Sequence, residues 1–180
     1  MKFNKLNSFY VTFDIDKKNK HKNILLKLID EMPNTLCVGL SKTDWYLDNT
    51  YHRKYIEYFK TMLTPHLNKL ANRLHFNKWT VDNMWFQQYE NNHGHNWHNH
   101  AYSNFSGVYY LELPNNELIT EYYDNYNEKI FKRLNISEGQ LSIFPSYILH
   151  RSPKNQNNNR KTVIAFNLNF EEVIINYAIN

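Results

Sequence analysis

The pair His98-x-His100, set just ahead of an apolar β-type run at residues 105–113, constrains this chain more than any other feature. In extended backbone, residues i and i+2 point to one side, so both imidazoles can meet one ion. His150 answers the pair from further down the chain, after the apolar segment Leu141–Phe144 and the corner Phe144-Pro145-Ser146. Imidazole suits Fe, Zn, Cu and Ni, so His98, His100 and His150 form a candidate metal centre. Arg160-Lys161-Thr162 then opens another β-type run. The planar guanidinium of Arg160 suits bidentate carboxylate binding and would hold a dicarboxylate whose other end reaches the metal. Thr162 points the same way along the strand and adds a hydroxyl. His93 and His95 read as a polar loop ahead of the site.

The remaining patterns supply a scaffold. Phe9, Val11, Phe13 and Ile15 alternate as in a strand over residues 8–15. Ile24, Leu25, Leu28 and Ile29 mark a helix over residues 21–32, ended by Met32-Pro33. Residues 35–40 are a short apolar segment, and Lys42-Thr43-Asp44-Trp45 is a polar loop carrying an aromatic. Tyr55, Phe59, Leu63, Leu67, Leu70 and Leu74 line one helical stripe over residues 52–75, with a kink or a restart expected at Pro65. From Lys78 the pattern turns to β, with strands expected over residues 80–89, 105–113, 118–123, 141–144 and 162–170. Aromatics at 16% suit sheet. The fold expected is mainly β with flanking α: a double-stranded β-helix of the jelly-roll or cupin type preceded by N-terminal helices. One domain would hold a helix-rich support at residues 1–77, the β core at 78–170 and a tail at 171–180.

Composition narrows the function classes. One cysteine, Cys37, permits no intramolecular disulfide, which fits a reducing cytoplasm. No apolar run has the length of a membrane span, and no signal-peptide pattern opens the sequence. The net charge of +4 is mildly basic. Beyond Lys17-Lys18-Asn19-Lys20-His21-Lys22, no dense basic patch supports a nucleic-acid partner.

Residues 85–170 resemble the Fe(II)/2-oxoglutarate-dependent oxygenases, in particular the small prolyl-hydroxylase-like members common in marine phages and bacteria. The matching pieces are Trp85-Phe86-Gln87-Gln88-Tyr89, His98-Asn99-His100, Ser106-Gly107-Val108-Tyr109-Tyr110-Leu111, Phe144-Pro145-Ser146, His150-Arg151-Ser152-Pro153, Arg160-Lys161-Thr162 and Phe166-Asn167. The resemblance implies Fe(II), 2-oxoglutarate and O2 as the cofactor set, and hydroxylation of a substrate with release of succinate and CO2. It makes His98 the proximal and His150 the distal iron ligand. Arg160 would bind the distal carboxylate of 2-oxoglutarate, with Thr162 and Tyr89 assisting. The location implied is a cytoplasm, the host's if the chain is viral.

The family motif is His-x-Asp/Glu, and this chain carries His100 at its second position. Either His100 is the third ligand, or a carboxylate such as Glu112, Glu121 or Asp124, or water, takes that place. Two rivals remain: a three-histidine cupin-type dioxygenase that needs no 2-oxoglutarate, and a non-catalytic binding protein on the same fold. Arg160 and Thr162 speak against the first. Trp97, Tyr102, Tyr109, Tyr110 and Tyr147 are candidates for the entrance or for the core. The substrate class stays open between a protein side chain and a small molecule, with nucleic acid the least supported partner.

Overall fold

The structure is a computed structural model and describes residues 8–33, 35–37, 39–124, 128–131 and 134–174. In chain order it has β1 (Val11–Asp14), α1 (Lys22–Asp30), β2 (Thr35–Cys37), β3 (Leu40–Thr43), α2 (Lys54–Arg73), β4 (Phe76–Tyr89) and β5 (His95–His98). There follow β6 (Phe105–Glu112), a 3-10 turn (Asn116–Leu118), β7 (Glu121–Asp124), β8 (Lys129–Phe131), β9 (Gln140–Pro145), β10 (Leu149–Ser152) and β11 (Lys161–Val173).

The strands form two sheets, ordered β1-β9-β6-β11-β4-β3-β2 and β5-β10-β7-β8. Two apolar clusters explain how these layers hold together. On one face of the large sheet, Met84, Phe86, Tyr109, Leu111, Leu141, Ile143, Ile164, Phe166 and Leu168 pack against Leu25 and Ile29 of α1 and Tyr55, Phe59, Leu63 and Leu67 of α2. Between the sheets lie Tyr110, Val163 and Phe144 of the large sheet with Tyr122 of the small one. This is the double-stranded β-helix with flanking helices that the sequence pattern implies.

Four expectations change. The long helix does not restart at Pro65 but continues through it. Proline removes the bond to the carbonyl of Thr61, but both residues face water, which can take up that carbonyl. The N-terminal region is more than helical support, since β1, β2 and β3 join the large sheet. His95 lies in strand β5 rather than in a loop. Of the expected tail, β11 takes the first residues, and residues 175–180 lie outside the described ones.

Gly107 shows how tightly the large sheet meets the ring opposite it. Gly107 pairs with Phe166 across β6 and β11, and a Cβ there would sit 2.2 Å from the Phe166 ring.

Candidate active site

The small sheet brings the histidines together by strand pairing. His150 of β10 sits directly opposite His98 of β5, and a directly opposed pair presents its side chains to one face. His100 follows just beyond β5, its backbone N–H bonded to the Ser146 carbonyl at 3.0 Å. The three imidazoles offer ligand atoms that all lie within 4.8 Å of one another.

Two of the rings have their orientation fixed by the chain itself. Nδ1 of His98 lies 2.7 Å from the Asn96 carbonyl, and Nδ1 of His150 lies 3.0 Å from the Ile148 carbonyl. A carbonyl only accepts, so Nδ1 carries the proton in both rings and Nε2 is left with its lone pair for a metal. His100 stacks on Trp85 with centroids 5.9 Å apart and hydrogen-bonds Asn167. Burial pushes the imidazoles below their ordinary range, His100 to about 4 and His150 to about 3, with neighbouring histidines adding to the effect. The cluster is therefore neutral at physiological pH, as a nitrogen donor set must be. These donors fit a divalent transition metal such as iron.

The cavity beside them, about 320 Å³, holds a single buried ammonium. Lys161 is 1% exposed. Its Nζ donates to Ser152 Oγ at 2.7 Å and lies 5.1 Å from the Tyr89 ring centroid and 5.8 Å from that of Tyr110. No carboxylate among the described residues pairs with it, and burial alone pulls its pKa down to about 7. A buried cation with no counter-charge in the wall of a cavity is poised for an anionic ligand.

Residues 83–167, running from β4 to β11, match the family model described as a 2OG-Fe(II) oxygenase. That stretch, just under half of the chain, is similar to the 2-oxoglutarate/Fe(II) oxygenases. Solved structures share the oxygenase fold at low identity. The collagen prolyl hydroxylase of Paramecium bursaria Chlorella virus-1, solved with 2-oxoglutarate, is 12% identical, with 91% of this chain and 97% of that one covered at a TM-score of 0.62. A prolyl-4-hydroxylase from Pseudomonas putida is 11% identical, with 90% and 92% covered at 0.63. A 2OG-Fe(II) oxygenase-family oxidoreductase from Burkholderia pseudomallei is 10% identical, with 91% and 85% covered at 0.71. No curated protein matches the sequence.

The structure places the expected anion-binding pair, Arg160 and Thr162, away from the histidine cavity. Arg160 and Thr162 lie on the opposite side of β11 from the cavity. Arg160 donates from Nε and Nη2 to the two Glu112 carboxylate oxygens at 2.9 and 3.3 Å, and Thr162 Oγ1 donates to the same carboxylate. The reason is the two-residue period of a strand: a step of one residue exchanges the faces. Lys161 takes the inward place, directly opposite Tyr89 of β4. Tyr89 does line the cavity, and its hydroxyl donates to Gln87 Oε1 at 2.7 Å.

Two carboxylates that could have replaced His100 are engaged elsewhere: Glu112 with Arg160, and Glu121 with Arg151 at 2.6 Å. His95 stacks on His98 at 4.0 Å and lines the cavity, whereas His93 accepts or donates a bond with Ser41 outside it. None of the aromatics expected at the entrance lines the cavity. Tyr109 and Tyr110 are core, Tyr102 is fully in solvent, Tyr147 bonds Ser8, and Trp97 packs on Arg151 and Tyr123. Trp45, Tyr46 and Trp85 line it instead.

Proposed function

We propose that this oxygenase is a hydroxylase in which His98, His100 and His150 hold Fe(II) while Lys161, assisted by Tyr89, takes the distal carboxylate of 2-oxoglutarate. The observation that carries the reading is Lys161: a buried ammonium in the histidine cavity, with a serine hydroxyl as its polar partner. A carboxylate brought beside it supplies the missing counter-charge and restores its protonated form. Iron, 2-oxoglutarate and O2 together supply the oxidising chemistry there, with 2-oxoglutarate leaving as succinate and CO2.

The chain's own part is positioning. The carbonyls of Asn96 and Ile148 hold two imidazoles in the metal-binding tautomer. Trp85 and Asn167 steady the third. Burial of Lys161 keeps water from competing for its charge. The prolyl hydroxylases among the fold neighbours keep a protein side chain beside small molecules as a candidate substrate.

His100 in place of a carboxylate favours one second reading, a three-histidine dioxygenase that takes no 2-oxoglutarate. One titration separates the two. Anaerobic addition of 2-oxoglutarate to the Fe(II)-loaded protein produces a visible metal-to-ligand charge-transfer band on the first reading. Iron binding without that band favours the second. In the same assay His100→Asp strengthens Fe(II) binding if His100 is a ligand, and unchanged affinity removes it from the metal.

A further inference from the structure

Asp44, Arg53 and Tyr55 form a buried polar clamp for which the chemistry above has no use. Asp44 is fully buried. Its Oδ1 accepts from the Phe86 backbone N–H at 2.9 Å, and its Oδ2 from the Tyr55 hydroxyl at 2.6 Å and Arg53 Nε at 3.0 Å. Arg53 also donates to the carbonyls of Leu47 at 2.8 Å, Asp44 and Asp48 at 3.3 Å, and Tyr51 at 3.4 Å. Burying an acid costs stability unless hydrogen bonds compensate it, and here Arg53 also ties Asp44, Leu47, Asp48 and Tyr51 of the loop between β3 and α2 together.

That loop displays Trp45 and Tyr46. They are 47% and 65% exposed, yet both line the metal cavity. Trp45 meets Trp85 edge-on at 4.5 Å, and Trp85 in turn stacks on His100. Tyr46 is tied to β2 through its hydroxyl, 3.6 Å from Cys37 Sγ. Two large aromatic side chains held half in water by a rigid loop gain little from the core. They are suited to a partner that covers them.

Charge says which partner. Among the described residues no Asp or Glu lines the cavity, and the charged ones that do are Lys161 and Arg151. Arg151 is already paired with Glu121, and Lys161 is matched by the cosubstrate on the reading above. An ammonium or guanidinium would therefore find no carboxylate among the described lining residues to receive it. An anion would find both cations already matched. The volume, shared with the cosubstrate, admits a group of side-chain size.

We propose that Trp45 and Tyr46 are the substrate-selecting surface of this enzyme, and that the group they admit is uncharged. The proposal rests on the oxygenase reading and deepens it. The test uses fluorotryptophan-labelled protein loaded anaerobically with Fe(II) and 2-oxoglutarate, with the Trp45 fluorine resonance assigned through Trp45→Phe. N-acetyl-leucine methylamide, N-acetyl-lysine methylamide and N-acetyl-glutamate methylamide serve as probes. The leucine probe is expected to shift the Trp45 resonance saturably and to bind at least about tenfold more tightly than the charged probes. Tyr46→Ala should weaken it while leaving the charge-transfer band in place. A lysine or glutamate probe that binds as tightly, or a Trp45 resonance that the leucine probe does not move, overturns the proposal. Loss of the charge-transfer band in the unmodified chain would instead overturn the cosubstrate reading, so the two failures are distinct.

Discussion

The two faces of β11 do different work one residue apart. Thr162, Ile164, Phe166 and Leu168 turn towards the helices, where the last three are core. Lys161, Val163 and Ala165 turn towards the cavity. Each face also has its cation. On the helix side Arg160 is neutralised by Glu112. On the cavity side Lys161 is buried with no carboxylate partner among the described residues. The completed ion pair has its counter-charge built in and belongs to the fold. The incomplete one needs a ligand and belongs to the site.

If that division holds, substitutions on the helix face should cost stability and spare cosubstrate binding. The largest effect is expected for Ile164→Ala, where a fully buried side chain leaves a cavity. About 2–5 kcal/mol should be lost in denaturant unfolding, with unchanged 2-oxoglutarate affinity in the folded fraction. Loss of affinity there would show that the faces are coupled. Gly107→Ala forces a methyl into the Phe166 ring and should cost about 1–3 kcal/mol by thermal melt. Arg160→Ala removes the partner of Glu112 on a part-exposed surface, for a loss of about 1 kcal/mol or less.

The smallest effect is a pH dependence. In the cosubstrate-free protein the Lys161 pKa of about 7 lies below its unfolded value of 10.5. The unfolded chain therefore binds more protons between those values, and native stability rises with pH across that window. Cosubstrate binding runs the other way, because the carboxylate needs the ammonium. Affinity should fall about fivefold from pH 7 to pH 8 as the charged fraction drops. Calorimetry in buffers of different ionisation enthalpy should show proton uptake on binding. A flat profile without uptake would place the carboxylate elsewhere.

Much of this arrangement was legible in the chain. The His98-x-His100 spacing and the strand before His150 located the histidine cluster, because β10 pairs His150 directly with His98 and His100 follows two residues on. The face of β11 was also legible, through a signal the arginine obscured. Ile164, Phe166 and Leu168 are bulky and apolar, so their parity had to meet the helices and carry Thr162 and Arg160 with it. The alternate parity, with Val163, Ala165 and Asn167, is smaller and partly polar, as a cavity wall should be. His95 and Trp45 were not legible. Strand β5 is too short to show a period. The exposure of Trp45 depends on the Asp44 contacts with Arg53, Tyr55 and Phe86, which come from distant elements.

The most direct test compares 2-oxoglutarate dissociation constants for Lys161→Met and Arg160→Ala, each loaded with Fe(II) and titrated anaerobically through the charge-transfer band. The account predicts that Lys161→Met weakens binding at least about 30-fold without loss of thermal stability, since it replaces a buried charge by an apolar chain of similar volume. Arg160→Ala should stay within about threefold of the unmodified protein. The reverse pattern, with the arginine variant losing the cosubstrate and the lysine variant keeping it, would contradict the assignment of the two faces.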